Sequence, residues 1–251
     1  MRLDRYLSQS GERSRSESAR LLRAGLVRVN GQTVRDGGFQ VGERDEVLLR
    51  DAPVEDSRFL YLMLNKPAGL LTASRDSRAG TVMELLPEGL SRRKVAPVGR
   101  LDKDTTGLLL LTNDGALAHQ LLSPKRHVWK RYAATVEGRL AESACVAFEA
   151  GVPLADFTAL PARLTILRAE DEYSQALAEV REGKYHQVKR MFLSVGHPVV
   201  TLCRVAFGPL LLPEDLLPGA YRALTETELF QLRQSVAPET LRGAEEKERH
   251  G

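Results

Sequence analysis

Hydrophobic and polar positions change their spacing several times in the first thirty residues. In "SRSESARLLRAG", apolar residues recur at helical intervals, with Ser14 or Ser16 as the N-cap and Gly25 as the C-terminal stop. Apolar and polar residues then alternate on both sides of Asn30-Gly31, a dipeptide that favours a two-residue hairpin turn. The pattern predicts a helix followed by a β-hairpin.

Composition divides the chain into successive segments. The helical start "MRLDRYL" and a strand at residues 45–49 complete a small module over residues 1–50. Residues 51–57, "DAPVEDS", have the Pro, Ser and acidic content of a linker. Residues 58–236 are richer in apolar segments and form the predicted larger domain. Residues 237–251 are polar and charged, which predicts a disordered tail.

The larger domain contains six segments typical of strands and four with helical spacing. The strand segments are "RFLYLMLNK", "GLLLLT", "RYAATV", "ARLTILRA", "ALAEVREG" and "PVVTLCRVAF". The helical segments are "TVMELL", "GALAHQLL", "ESACVAFEAG" and "HQVKRMFLSVG". This content predicts an α+β fold, with a mostly antiparallel sheet and packed helices.

Composition narrows the class of protein. The 251 residues are 43% hydrophobic and 27% charged, and no apolar run approaches the roughly 18 residues that a membrane helix needs. The charged start has no apolar signal core, so we expect a cytoplasmic protein without a membrane partner. Cys145 and Cys203 lack neighbouring His residues, which argues against a disulfide framework or a zinc site. We expect them to be small core residues.

Charge is unevenly distributed along the chain. The net charge is +3, yet residues 1–35 contain eight arginines and three acidic residues, a local charge of +5. Arg binds pairs of phosphate oxygens through its planar guanidinium, so this cluster suits a nucleic-acid partner. A solvated helix face is the alternative interpretation.

One segment combines carboxylates with a strongly apolar run. In "GRLDKDTTGLLLLTNDG", Asp102 and Asp104 occupy a polar turn that precedes residues 108–111, four consecutive leucines. The leucines predict a buried strand that would hold the turn firmly. The two acids could simply bond local backbone groups. With Asp114 they could also form a magnesium site, although the spacing lacks the Gly and distal Glu of a calcium loop.

Two further segments are basic and contain aromatic residues. In "EGKYHQVKRMF", helical spacing buries Val188, Met191 and Phe192 and leaves Lys189 and Arg190 at the margin. A charged helix face is the alternative, and His186 taken alone indicates a hydrogen-bonded structural residue.

In "SPKRHVWKRYAATV", basic residues alternate with Trp129 and Tyr132, a mixture that can bind phosphates and stack on bases. Both aromatic residues could instead pack in the core.

The order of these motifs resembles a known family. Residues 1–50, with "MRLDRYL" and "RVNG", resemble the S4 RNA-binding domain. The three segments above and the turn "LNKPAG" resemble the pseudouridine synthases, in particular the branch that modifies ribosomal RNA and carries an S4 domain. The resemblance extends from residue 1 to about residue 232.

The resemblance implies roles for particular residues. Asp102 would be the catalytic residue, Tyr132 would lie against the target base, and Lys189 would pair with the catalytic carboxylate. Arg100 would contact the RNA beside the flipped nucleotide, unless it forms a structural ion pair with Asp104 or Asp114. The further RNA contacts expected are basic residues of both domains: Arg2, Arg5, Arg15, Arg20, Arg23, Lys130 and Arg190.

The implied reaction converts a uridine of ribosomal RNA to pseudouridine, and 16S rRNA is the expected substrate. No atoms or electrons enter or leave, so no cofactor or metal is expected. The partner would be ribosomal RNA or a pre-ribosomal particle, and the enzyme would be a monomer. The alternatives are a 23S rRNA enzyme, a non-catalytic RNA-binding or ribosome-assembly protein, and a metal-dependent nuclease using the three aspartates.

Overall fold

A computed structural model describes residues 1–8, 14–42, 45–54 and 59–237. The chain forms two compact units. The smaller unit combines Met1–Leu60 with Leu86–Val95, and the larger unit combines Tyr61–Leu85 with the chain from Ala96 onward. Leu86–Val95 therefore groups with the smaller unit, although the sequence pattern assigned it to the larger domain. Residues 238–251 of the predicted tail and residues 55–57 of the predicted linker lie outside the described residues.

Up to residue 54, the described part of the smaller unit contains two helices and a four-stranded sheet. Its elements are α1 (Leu3–Ser8), α2 (Arg15–Arg23), β1 (Val27–Val29), β2 (Gln32–Thr33), β3 (Val47–Leu49) and β4 (Ala52–Pro53). The strand order is β2-β1-β3-β4, and every pair is antiparallel. Strand β4 lies inside the segment expected to be a linker, because its backbone extends the sheet beyond residue 50.

Local sequence signals explain these elements. The Ser14 side chain accepts a hydrogen bond from the Glu17 amide and caps α2, which confirms one of the two predicted N-caps. Asn30 and Gly31 have φ values of 50° and 79°, as a type I′ turn requires, and they join β1 to β2. Residues such as Leu3, Leu7 and Leu22 fill the core of this unit.

The larger unit is built on a nine-stranded sheet. Its strands are β5 (Tyr61–Lys66), β6 (Ala96–Pro97), β7 (Thr106–Thr112), β8 (Lys130–Glu137), β9 (Arg163–Ala169), β10 (Tyr173–Val180), β11 (Val199–Phe207), β12 (Leu210–Leu211) and β13 (Tyr221–Ala223). Seven strands follow the order β13-β5-β7-β11-β8-β10-β9, while β6 pairs with β7 and β12 with β11. The β7–β11 pair is parallel and the others are antiparallel. The predicted α+β class with a mostly antiparallel sheet is confirmed.

Beyond residue 50, the described residues form the α-helices α3 (Glu88–Arg92), α4 (Gly115–Leu122), α5 (Glu142–Ala150), α6 (Gln187–Ser194) and α7 (Glu226–Val236). The segment "TVMELL" forms a short 3-10 helix, Val82–Leu85, in place of an α-helix. Helix α7 was not predicted, although its capping box, Thr225 and Glu228, is readable in the sequence. Within the described residues, the helices are too short or too polar to cross a membrane.

Strand β7 is the buried centre of the larger unit. Leu108, Leu109, Leu110 and Leu111 have no exposed surface, which confirms the buried strand predicted from the leucine run. Burying one such side chain stabilises the fold by about 1.5–3 kcal/mol. The polar turn that precedes this strand is therefore attached to a fully buried part of the sheet.

Gly107 permits the close parallel approach of β7 to β11. Its φ is +98°, and a Cβ atom at this position would lie 2.3 Å from the backbone oxygen of Arg204 and 2.8 Å from the Arg204 nitrogen. A larger residue would displace one strand from the other, so glycine is required here.

Candidate active site

The turn that carries Asp102 is held by a buried threonine. The Thr72 hydroxyl donates to the Leu101 carbonyl at 2.8 Å and accepts from the Leu101 amide at 3.2 Å. On the other side, the Thr105 amide donates to the Asp102 carbonyl at 3.1 Å. The backbone is therefore fixed by hydrogen bonds at Leu101 and at the Asp102 carbonyl, which limits where the Asp102 carboxylate can point.

Lys66 supports the same turn from inside the protein. Its side chain is fully buried, and its ammonium donates to the carbonyls of Pro67, Lys103 and Thr105 at 3.0, 3.2 and 3.0 Å. Burial lowers the pKa of this amine to about 8. No role was predicted for Lys66 from the sequence. The available signal was a lysine at the end of an otherwise apolar strand.

Lys189 lies between two carboxylates of the turn. Its Nζ atom is 2.6 Å from Asp104 Oδ1 and 3.8 Å from Asp102 Oδ2. The hydrogen bond from Lys189 holds the pKa of the Asp104 carboxyl below its usual range. The resemblance implied a pair with Asp102, but the shorter contact is with Asp104, because Asp104 points directly at the ammonium.

Helix α6 and the residue before it place the side chains of Lys189 and His186 at this turn. Val188, Met191 and Phe192 are buried, as their spacing predicted, and they anchor the helix. His186 immediately precedes α6 in the left-handed region, with φ of 49°. Its Nε2 atom lies 3.5 Å from Asp102 Oδ1. A non-glycine residue in this conformation costs energy, and such strain is frequent at functional sites.

These groups line a solvent-open cleft with an empty volume of about 430 Å³. Arg100, Asp102, Tyr132 and Lys189 all border it, so four side chains that the sequence singled out meet at one place. Tyr132 projects from β8 with only 9% of its surface exposed. Arg100 is exposed.

The two carboxylates considered as ion-pair partners of Arg100 have other contacts. Asp104 accepts from Lys189, and Asp114 accepts from the hydroxyl of Tyr61 at 2.8 Å. Asp114 also caps α4 by accepting from the Leu117 amide. Asp114 is therefore a helix cap, which argues against a three-aspartate metal site. Within the described ranges no group of three or more His, Cys, Asp or Glu side chains is placed to hold a metal ion.

The expected RNA contacts differ in accessibility. Lys130 is 8% exposed, and burial together with the nearby Arg204 cation lowers its pKa to about 8. The Lys130 side chain is buried because its position in β8 faces the core. It therefore does not offer the surface ammonium that a phosphate contact requires. Arg190 is partly exposed and pairs with Asp156.

The five arginines of the smaller unit that were expected to contact RNA are exposed. Arg2 is exposed and forms an ion pair with Asp4 at 2.8 Å. The other four proposed contacts of this unit are all exposed: Arg5, Arg15, Arg20 and Arg23.

Both cysteines are free; Cys145 is buried and Cys203 is half-buried. Trp129 is half-buried, with the guanidinium groups of Arg163 and Arg181 4.7 and 5.0 Å from its ring centroid. Cys145 thus lies in the core as expected, and Trp129 packs against cations of the protein itself.

Two family models match successive parts of the chain. The family model described as RNA pseudouridylate synthase matches residues 60–194, and the S4 domain model matches residues 1–47. The chain belongs to the RNA pseudouridylate synthase family, and it is a pseudouridine synthase that acts on RNA.

Individual relatives cover almost the whole chain. An uncharacterized RNA pseudouridine synthase, YtzG, of Bacillus subtilis strain 168 is 42% identical over 94% of this chain and 100% of its own length. The ribosomal small subunit pseudouridine synthase A of Escherichia coli strain K12 is 38% identical over 91% of this chain and 98% of its own. A crystal structure of a pseudouridylate synthase superimposes with a TM-score of 0.65 at 36% identity, covering 92% of this chain and 99% of that one.

Proposed function

We propose that the protein isomerises one uridine of 16S rRNA to pseudouridine, with Asp102 as the catalytic residue. The observation that supports this most directly is the setting of Asp102. Its side chain is 28% exposed at the cleft, with the Lys189 ammonium and the His186 imidazole each within 4 Å of a carboxylate oxygen. The carboxylate can therefore reach a bound nucleotide while cationic or donor groups keep it oriented.

The reaction suits a carboxylate. The bond between N1 and C1′ breaks, the base turns, C5 bonds to C1′, and the proton released from C5 is balanced by one gained at N1. An ionised Asp can attack the sugar or the base covalently, or it can remove a sugar proton. Both routes require the charged oxygen of Asp102, so both are lost when the charge is removed.

The target uridine must leave the base stack before a side chain reaches its sugar. This costs a few kcal/mol, which stacking and backbone contacts can offset. Tyr132, at the cleft wall, is suited to lie against the extruded base, and the exposed Arg100 is suited to bind the RNA beside it. The exposed arginines of α2 would add phosphate contacts outside the cleft.

The small-subunit assignment is supported by the names of full-length relatives. The Escherichia coli and Haemophilus influenzae proteins, 38% and 37% identical to this chain, are both named ribosomal small subunit pseudouridine synthase A. We extend that substrate to this chain because the similarity includes both the S4 and the synthase regions. The partner would be 16S rRNA, free or in a pre-ribosomal particle, bound in the cytoplasm by a monomer.

The test is to map pseudouridine in both large rRNAs from cells that lack this protein. We expect one pseudouridine to disappear from 16S rRNA and to return when the wild-type chain is supplied. Supplying Asp102→Asn should not restore it. Loss of a 23S pseudouridine would overturn the substrate, and restoration by Asp102→Asn would overturn the catalytic assignment. Unchanged maps in both rRNAs would favour a non-catalytic role.

A further inference from the structure

Tyr185 is an exposed aromatic residue at the edge of the cleft that the proposed reaction does not use. Its relative exposure is 69%. Its ring stacks on the imidazole of His186, with 3.9 Å between the ring centroids and 16° between the planes. His186 in turn lies 3.5 Å from Asp102. The His186 imidazole therefore contacts the Tyr185 ring and also lies near Asp102, the residue proposed to react.

The protein fixes the backbone that presents this ring. The Arg190 guanidinium donates to the Tyr185 carbonyl at 3.4 Å, and the Lys184 amide donates to the Gln187 side chain at 3.1 Å. His186 has the left-handed φ of 49° that turns the chain into α6. The buried face of α6 anchors all of these groups, so the ring belongs to an ordered turn.

Exposure alone would not single out Tyr185, because isolated apolar residues are common on protein surfaces. What distinguishes it is the parallel stack on a cleft residue. When a nucleotide swings out of RNA, the bases on either side lose a stacking partner. An aromatic ring held in a stack beside the cleft offers such a base a replacement surface.

We propose that Tyr185 forms a stacking subsite for a base adjacent to the uridine that is isomerised. The inference rests on the proposed function and adds a second point of nucleotide recognition to it. The ligand is a nucleobase of looped or single-stranded RNA. Because every base has a π-face, the subsite selects an unpaired neighbour and tolerates any base identity.

Crosslinking tests the position of this subsite. The full chain carrying p-azidophenylalanine in place of Tyr185 is irradiated with whichever transcribed rRNA the wild-type protein modifies, and the crosslinked nucleotide is mapped by primer extension. We expect crosslinks within about two nucleotides of the modified uridine, the reach of one stacked base. The matched control replaces Tyr173, which is 44% exposed at the opposite end of β10 from Val180, a cleft residue. Crosslinks from position 185 that are absent or no closer than those from position 173 overturn the proposal.

Binding and single-turnover kinetics separate stacking from a merely structural role. Tyr185→Leu should weaken RNA binding about 10-fold, as loss of one base–aromatic stack does, while the rate at saturating RNA changes less than about twofold. Tyr185→Phe should restore binding, and Tyr173→Leu should leave it unchanged. If Tyr185→Leu lowers the saturated rate with unchanged affinity, the ring acts only through His186 and the subsite is overturned.

These outcomes are distinct from failure of the proposed function. Full activity of Asp102→Asn would overturn the catalytic assignment and leave the crosslinking result standing. Crosslinks at a 23S rRNA uridine would correct the substrate and support the subsite. Unchanged binding by Tyr185→Leu, in an enzyme that Asp102→Asn inactivates, would overturn the subsite alone.

Discussion

At the scale of single residues, the site depends on two aspartates that share one lysine. Asp104 is 75% exposed and takes the shorter bond from Lys189, whereas Asp102 is 28% exposed and borders the cleft. Asp104 is therefore the closer partner of Lys189, whereas Asp102 is the carboxylate that a substrate in the cleft can reach. Separate substitutions can tell the two roles apart.

Asp102→Asn should reduce pseudouridine formation by about 1000-fold or more, because it removes the reacting charge with little change in size. Asp104→Asn should reduce it by roughly 10-fold or less, since Lys189 stays near Asp102. Single-turnover assays with the modified rRNA measure both, with circular dichroism and RNA affinity as controls. Equal losses for the two variants would mean that Asp102 has no special chemical role. An Asp102→Asn rate within about tenfold of wild type, a barrier change near 1.4 kcal/mol, would point to another group.

Sequence patterns located the cleft residues better than they located their partners. Residues of the "RLD" turn and of α6 were expected at one site, and they meet there. Which carboxylate Lys189 would contact was not readable, because it depends on a turn shape set by Thr72 and Lys66, some 30 residues earlier in the chain. Lys130 was expected to contact RNA, but its position in strand β8 turns its side chain inward.

At the scale of secondary-structure elements, β7 and β11 must approach closely for the cleft to form. We expect Gly107→Ala to destabilise the protein by about 3 kcal/mol, because the added methyl group overlaps the Arg204 backbone and the positive φ is strained. Urea unfolding measures the change.

Gly115→Ala is the matched control for that experiment. Gly115 begins α4, and a Cβ atom there would meet nothing within 4 Å. This variant should change the free energy of unfolding by less than about 1 kcal/mol. If Gly107→Ala is equally mild, the two strands are not as tightly opposed as the structure indicates.

The buried amine under the catalytic turn gives stability a pH dependence. The pKa of Lys66 is about 8 in the folded state against an ordinary 10.5. Between these values the unfolded chain holds more protons, so the free energy of unfolding rises with pH, by at most about 1.4 kcal/mol per unit for this group. Lys66→Met should remove that part of the slope. It should also slow catalysis roughly tenfold or more, since the turn loses three hydrogen bonds.

Urea unfolding between pH 7.5 and 10 measures this slope, and Lys130→Met is the control. Lys130 is a second buried amine whose pKa is also about 8, but its ammonium lies over the Phe207 ring instead of under the turn. Its replacement should lower the slope by a similar amount. A Lys66→Met protein with the wild-type slope would show that Lys66 remains protonated throughout.

At the scale of the whole molecule, the sequence predicted the α+β class and the mostly antiparallel sheet correctly. It did not assign every segment to the right unit. The apolar pattern identified the six long strands of the larger unit, but it missed β6, β12 and β13, because strands of two or three residues are too short to show a pattern. Leu86–Val95 groups with the smaller unit, which no local pattern reveals, since packing between distant segments leaves no periodic signal. Helix α7 was missed although its capping box was readable, because its apolar spacing is weak.

The arginines of α2 should supply RNA affinity and leave the chemistry intact. Replacing Arg15, Arg20 and Arg23 together with Gln should reduce the log–log salt slope of RNA binding by roughly 2, since each lost phosphate contact lowers it by 0.7 to 0.9. The rate at saturating RNA should change little. Arg139→Gln and Arg168→Gln are controls, because these exposed arginines of the larger unit already pair with acidic residues. An unchanged slope in the triple variant would make the α2 arginines a solvated surface.

The parallel pairing of β7 with β11 also determines when the enzyme becomes competent. The Thr106 hydroxyl donates to the Leu202 carbonyl across 96 residues, and the residues that line the cleft extend along the chain from Arg100 to Leu202. Closing so long a loop is entropically costly and makes folding slow. On a translating ribosome, the segment with Asp102 emerges long before α6 and β11, so a nascent chain exposes its aspartate without the cleft. Activity can begin only after most of the chain has been synthesised.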